Sequence, residues 1–138
     1  MAEGILKARW ALNAGEGRVS SMGIHGLNHQ PASELARQLC EEHGIDISQH
    51  LSRPLGFDEL NRADLIFTME MVQKDFILLF LPHLVDRVSL LGSWPDKDAS
   101  KYNIRDPIGG AVKEYRQAYD AIARHIDRIL PFLQARFT

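Results

Sequence analysis

The sequence has one cysteine, Cys40, no long apolar run and no excess of charge of either sign. A single thiol makes neither an internal disulfide nor a cysteine-rich zinc site. The six histidines (His25, His29, His43, His50, His83 and His125) are scattered, and none is paired across a glutamate at metal-helix spacing. No metal and no cofactor are therefore expected. The most apolar stretch, residues 76–81, ends at Pro82 and falls far short of the ~20 residues of a membrane span. Glu3, Lys7 and Arg9 break up any apolar run at the N-terminus, so no signal-peptide pattern is present and a cytoplasmic location is expected. A formal net charge of −2 with no lysine or arginine stripe leaves no basis for a nucleic-acid or membrane partner. Neither glycine-rich nucleotide fingerprint occurs.

What is present suits one domain spanning residues 1–138: 45% of residues are hydrophobic, enough for a real core. Good helix formers over residues 1–13 predict a first helix that ends at Gly15 and Gly17. Residues 18–24 read as a short strand. A second helix opens at Pro31, carries Leu35, Ala36, Leu39 and Cys40 on one face, and is capped by Gly44. One or two helical turns come next at 57–62. The continuous apolar run 65–69 reads as a strand covered on both faces. A helix over 72–81 is stopped by Pro82, and 88–91 is another buried strand. Residues 92–110 hold most of the turn chemistry, and a loop of that length in a small domain is more often functional than accidental. The last helix is expected over about 112–132, with Tyr115, Tyr119, Ile122, Ile126, Ile129 and Leu133 as its apolar stripe. Strands alternating with helices indicate an α/β domain with a parallel sheet.

Several residues are candidates for chemistry. In Arg105-Asp106-Pro107-Ile108-Gly109-Gly110, the proline after Asp106 keeps the aspartate out of helical backbone and suits it to present a carboxyl group as a general acid. The same residue types also make an ordinary helix start. Cys40 lies on an apolar face near a helix C-terminus and is followed by Glu41 and Glu42, a setting that opposes a reactive thiolate. Ser48, His50 and Arg53 form a polar loop cluster, readable as a site or as local turn bonding. Glu70 ends a buried strand, where it is either functional or a helix cap. Trp94 and Tyr102 either stack on an aromatic substrate or pin their loop.

Taken together, five segments in order resemble the low-molecular-weight phosphotyrosine phosphatases over nearly the whole chain. They are Met1-Ala2-Glu3, Val19-Ser20-Ser21-Met22-Gly23, Gly44-Ile45-Asp46-Ile47-Ser48-Gln49-His50-Leu51-Ser52-Arg53, Ala63-Asp64-Leu65-Ile66-Phe67-Thr68-Met69-Glu70, and Asp106-Pro107-Ile108-Gly109-Gly110. The resemblance implies a three-layer α/β/α fold with a doubly wound parallel sheet. It implies phosphomonoester hydrolysis on a phosphorylated protein. In that family a cysteine thiolate in a Cys-(X)5-Arg loop attacks phosphorus, and the aspartate of the acid loop protonates the leaving oxygen. By the same resemblance Asp106 is the general acid, Pro107 shapes its loop, Ser21 and His50 brace the phosphate loop, and Leu27 stands where an aromatic wall of the substrate pocket is common.

One departure is large. Cys40 is followed six residues on by Asp46, so no Cys-(X)5-Arg occurs in these 138 residues. The first residues match the family pattern just beyond its phosphate loop, which leads to the expectation that the family's first strand is missing. The expectations are therefore a family member with its ordinary activity lost or severely impaired in this chain, a pseudophosphatase, or an interaction module that completes its sheet with a partner strand, most simply as a homo-oligomer. A start site placed too far downstream is the remaining reading. Arsenate reduction needs a phosphate-loop cysteine and two further cysteines and is rejected. Phosphotyrosine and phosphoarginine both remain open as substrates.

Overall fold

The computed structural model describes residues 1–12, 17–25 and 28–137. These form two compact units, one of Met1–Pro54 with Pro107–Thr138 and one of Leu55–Asp106.

In the first unit, helix α1 (Ala2–Leu12) and helix α2 (Glu34–Glu42) pack against the long helix α5 (Val112–Phe137). The stripe on α5 is buried along its whole length, from Tyr115 to Leu133, and faces Ile5 and Trp10 of α1 and Leu39 and Cys40 of α2 among the core residues. Arg9 of α1 donates to Asp127 of α5 at 2.8 Å, and Arg116 of α5 to Glu42 of α2 at 3.0 Å. His43 stacks on Tyr119 with ring centroids 4.2 Å apart. Helix α5 does not stop near Phe132 as expected but continues through Pro131 to Phe137. A proline removes one backbone donor, and the burial of Ile129 and Leu133 on either side offsets that loss.

Helix α2 starts later than Pro31. Ser33 is its N-cap, with Oγ accepting from the Ala36 amide at 3.3 Å, while Pro31 pairs with Leu51 in an isolated bridge. Gly44 takes the left-handed conformation, φ 74°, as its C-terminal position requires. The expected strand over 18–24 is not formed as a ladder: Gly23 makes a single parallel bridge to Pro54. Strand character depends on a neighbour, and none pairs with the rest of this segment among the described residues. The glycine turn expected at Gly15 falls outside the described residues.

The second unit is a βαβ arrangement. Strand β1 (Ile66–Thr68), helix α4 (Met71–Phe80) and strand β2 (Val88–Leu90) succeed one another, and the strands pair in parallel with Ile66 opposite Val88 and Thr68 opposite Leu90. Both strands alternate buried, half-buried, buried. Helix α3 (Phe57–Arg62) precedes them. Glu70 settles as the cap of α4: its side chain and that of Gln73 form a reciprocal capping box. Residues 92–104 return over the sheet and are tied down. Asn103 Oδ1 accepts from the Met71 amide at 2.9 Å, and the Ile104 amide donates to the Met69 carbonyl at 2.8 Å. Trp94 meets Phe67 edge-on at 5.4 Å, and Tyr102 lies under the Lys101 ammonium at 5.0 Å. Trp94 therefore pins the loop to β1, whereas the exposed Tyr102 ring meets its own chain neighbour. No helix among the described residues is long and apolar enough to cross a membrane.

Candidate functional site

Asp106 is exposed on the loop that leads into α5. A rigid turn succeeds it. The Gly110 amide donates to the Pro107 carbonyl at 2.8 Å, and Gly109 has φ 78°, the geometry of a type II turn with glycine at its third position. Gly110 is tightly enclosed: a Cβ there would lie 2.9 Å from the Pro107 carbonyl oxygen and 2.8 Å from the Glu114 Cβ. Glu114 reaches back from the first turn of α5 to accept from the Ala111 amide at 2.9 Å. The bland reading of this segment as a helix start is therefore correct, and it is compatible with the functional one. Proline, turn and cap hold the aspartate outside the helix on an exposed stretch of loop.

In the first unit the structure brings Ser21 and His50 together through a residue the sequence did not single out, Glu3. The Ser21 hydroxyl donates to Glu3 Oε2, and His50 Nδ1 stands 3.6 Å from the same oxygen, an ion pair when the ring is protonated. Lys7, one turn further along α1, donates to Glu3 Oε1. The Glu3 side chain is 15% exposed. Burial pushes its carboxyl group up, but the Lys7 and Ser21 hydrogen bonds and the charges of Lys7 and His50 outweigh that and hold it below the usual range. Arg53 adds a second tie, donating from Nη2 to the Ser21 carbonyl at 3.1 Å. The Ser48 amide donates to Asp46 Oδ1 at 2.8 Å, an Asx turn, and the serine itself is exposed. The polar loop cluster thus divides, with His50 and Arg53 joining Ser21 while Ser48 serves its turn. Two signals in the sequence could have flagged Glu3: its place in the Met1-Ala2-Glu3 segment and its i, i+4 spacing from Lys7.

Replacing Glu3 by Gln is expected to lower stability by about 1 kcal/mol, because the half-exposed Lys7 loses its charge partner while the Ser21 hydroxyl keeps an acceptor. Glu3 is held below its unfolded pKa, so this stabilisation is full above about pH 4.3 and fades as pH falls through the lower folded value. Chemical denaturation of both proteins at pH 7 and below pH 4 measures the gap, and a gap that widens in acid contradicts the assignment.

Cys40 is completely buried in the face of α2 turned to the core. Burial pushes its thiol up, away from the reactive thiolate. Leu27 lies outside the described residues. Among the described residues no group of three metal-ligating side chains is present. A cleft lined by Lys7, Trp10, Gly17, Arg18 and Val19 holds none of the expected site residues.

The family model for low molecular weight phosphotyrosine protein phosphatases matches residues 1–136. The chain belongs to that family. The match begins at residue 1 and does not bear out the expectation of a missing first strand. The chain is 32% identical over 117 residues to the probable low molecular weight protein-tyrosine-phosphatase EpsP of Ralstonia nicotianae, covering 85% of this chain and 77% of the relative. Among solved structures, the low molecular weight protein tyrosine phosphatase from T. tengcongensis superimposes with a TM-score of 0.85 at 26% identity, covering 94% of this chain and 87% of that one. The YwlE arginine phosphatase from Geobacillus stearothermophilus gives 0.83 at 28% identity, covering 98% and 84%. The architecture is accordingly the family's α/β fold with a parallel sheet.

Proposed function

We propose that this chain is a single-domain phosphomonoester hydrolase of its family acting on phosphorylated protein, with Asp106 in the acid role and Ser21 and His50 in the bracing role, and that the 138-residue polypeptide alone does not turn over its substrate at an appreciable rate. In the family's reaction a thiolate forms an S–P bond as the P–O bond to the leaving group breaks. Asp106 gives its proton to the departing oxygen and then takes one from the water that cleaves the cysteinyl-phosphate. The exposed Asp106 on its rigid loop fits the acid role, Pro107 fixes that loop, and Glu3 with Ser21 and His50 fits the bracing role. The observation that carries the inactivity is Cys40. The only thiol is sealed in the core, and Asp46, not arginine, stands six residues beyond it. Loss of nucleophile and phosphate cradle together lowers rates by several orders of magnitude, at least ~10³-fold. A relative named protein-arginine-phosphatase, 29% identical over 116 residues, keeps phosphoarginine beside phosphotyrosine as the substrate; there the bond broken is P–N and the acid's proton goes to the departing nitrogen.

The test is hydrolysis of an aryl phosphate at about pH 6 by the chain and its Asp106→Ala variant, the acid being needed protonated. Both are expected to match buffer alone. Turnover that disappears in Asp106→Ala overturns the inactivity and shows that a nucleophile reaches the site from elsewhere.

A second reading, an interaction module that recruits a strand, rests on β1. Ile66 and Thr68 bond toward β2, so in a parallel ladder the amide and carbonyl of Phe67 face the opposite edge, where no third strand pairs among the described residues.

A further inference from the structure

Helix α4 carries a second apolar stripe that faces solvent. Val72, Phe76, Leu79 and Phe80 lie at i, i+4, i+7 and i+8, the spacing of one helix face, and are 67%, 36%, 75% and 51% exposed. Phe57 of α3, 42% exposed, extends the face by stacking on Phe80 at 5.6 Å, and Phe76 meets Phe80 at 5.1 Å. The buried side of the same helix is served by Ile77. Core packing therefore does not explain the outer stripe, and a contiguous aromatic patch of this kind marks an interaction surface.

We propose that this face pairs with a second copy of the chain, in an antiparallel crossing of the two α4 helices about a two-fold axis near Phe76. Three observations favour a second copy. Phe76 is the midpoint of the stripe, so the crossing sets Val72 of each copy against Phe80 of the other, a small residue facing a large one. The five side chains expose on the order of 500 Å² per protomer, and pairing them removes on the order of 1,000 Å² from water, the lower bound for a specific interface. The rim is self-complementary in charge. Phe57 holds α3 to the Phe80 end, so α3 of one copy comes alongside the turn from Val72 to Asp75 of the other. There Arg62 and Asp75, both exposed and neither in an ion pair among the described residues, are of opposite sign. Asp58 lies in the first turn of α3, where the helix dipole favours an acid.

Sedimentation velocity of the chain tests the pairing. A reversible monomer–dimer equilibrium with a midpoint of about 10–50 μM is expected for an interface of this size. Leu79→Glu should weaken it at least about tenfold while leaving the thermal melt of the monomer unchanged, since Leu79 is solvent-facing. Arg62→Asp and Asp75→Arg should each weaken it about threefold or more, and the double variant should restore it. A single 15.6 kDa species up to ~100 μM overturns the proposal. So does a dimer indifferent to Leu79→Glu, which places the contact on another face such as the free edge of β1.

Discussion

Asp98→Ala is expected to lower the stability of the chain by about 3–5 kcal/mol, the range for removing one partner of a buried ion pair. Asp98 ties three parts of the second unit together. It accepts from Lys74 Nζ of α4 at 2.5 Å, from the Ser93 hydroxyl at 2.7 Å and from the Leu90 amide of β2 at 3.1 Å. The side chains of Lys74 and Asp98 are only 16% and 10% exposed, so the variant leaves an ammonium group buried without its counterion. Burial alone would raise the Asp98 carboxyl group, but the hydrogen bonds from Lys74, Ser93 and Leu90 and the Lys74 charge more than reverse that and hold it below the usual range. A depressed folded value means that the stabilisation is complete above the unfolded value of about 3.9 and is lost as pH falls through the folded one. Urea titrations at pH 7 should show the full difference between the two proteins, and the gap should close below about pH 4. A Lys74→Met/Asp98→Leu double variant, which removes both charges, should be less damaged than Asp98→Ala. Equal or greater damage in the double variant would show that packing, and not the pair, holds this corner.

Gly92→Ala should be nearly as harmful, for a steric reason. A Cβ at Gly92 would lie 2.1 Å from the carbonyl oxygen of Tyr102 and 3.2 Å from its carbonyl carbon. These are backbone atoms and cannot rotate aside. Tyr102 is itself pinned: its amide donates to the Ala99 carbonyl at 2.9 Å, and the next two residues are held by Met71 and Met69. The clash must push the whole return segment off the strand ends, at a cost of about 3 kcal/mol or more. For a chain of this size that is a fall of roughly 10 °C in melting temperature, measurable by circular dichroism. A shift within about 2 °C would mean that the segment moves freely and that its hydrogen bonds contribute little.

Much of this fold was readable residue by residue. The stripe on α5 is a periodic apolar pattern and is buried as that pattern requires, whereas the continuous run 65–69 forms its strand with only alternate residues fully buried. Gly44, Gly109 and the turn after Asp106 were readable because their backbone geometry is set by local chemistry. The misreadings have a different origin. Residues 18–24 have strand composition, yet a strand is completed only by a neighbour. The last helix was expected to end near residue 132, but it runs on through Pro131 to Phe137, because its stripe is buried before and after the one missing donor. The Lys74–Asp98 pair spans 24 residues, and the Glu3–Ser21 and Glu3–His50 contacts join segments with no common periodicity. No spacing rule announces such pairs.

By itself the sequence determined the family, the main helices, the two paired strands, the Asp106-Pro107 turn and the lack of a Cys-(X)5-Arg segment in these 138 residues, because each is written in consecutive or periodic residues. Only the tertiary structure decided that Cys40 is sealed away, that Glu3 is the hub joining Ser21 to His50, that Glu70 is a cap, and that one face of α4 is left uncovered. Burial and side-chain partnership arise where distant segments meet, and that meeting is set by the packing of the whole chain.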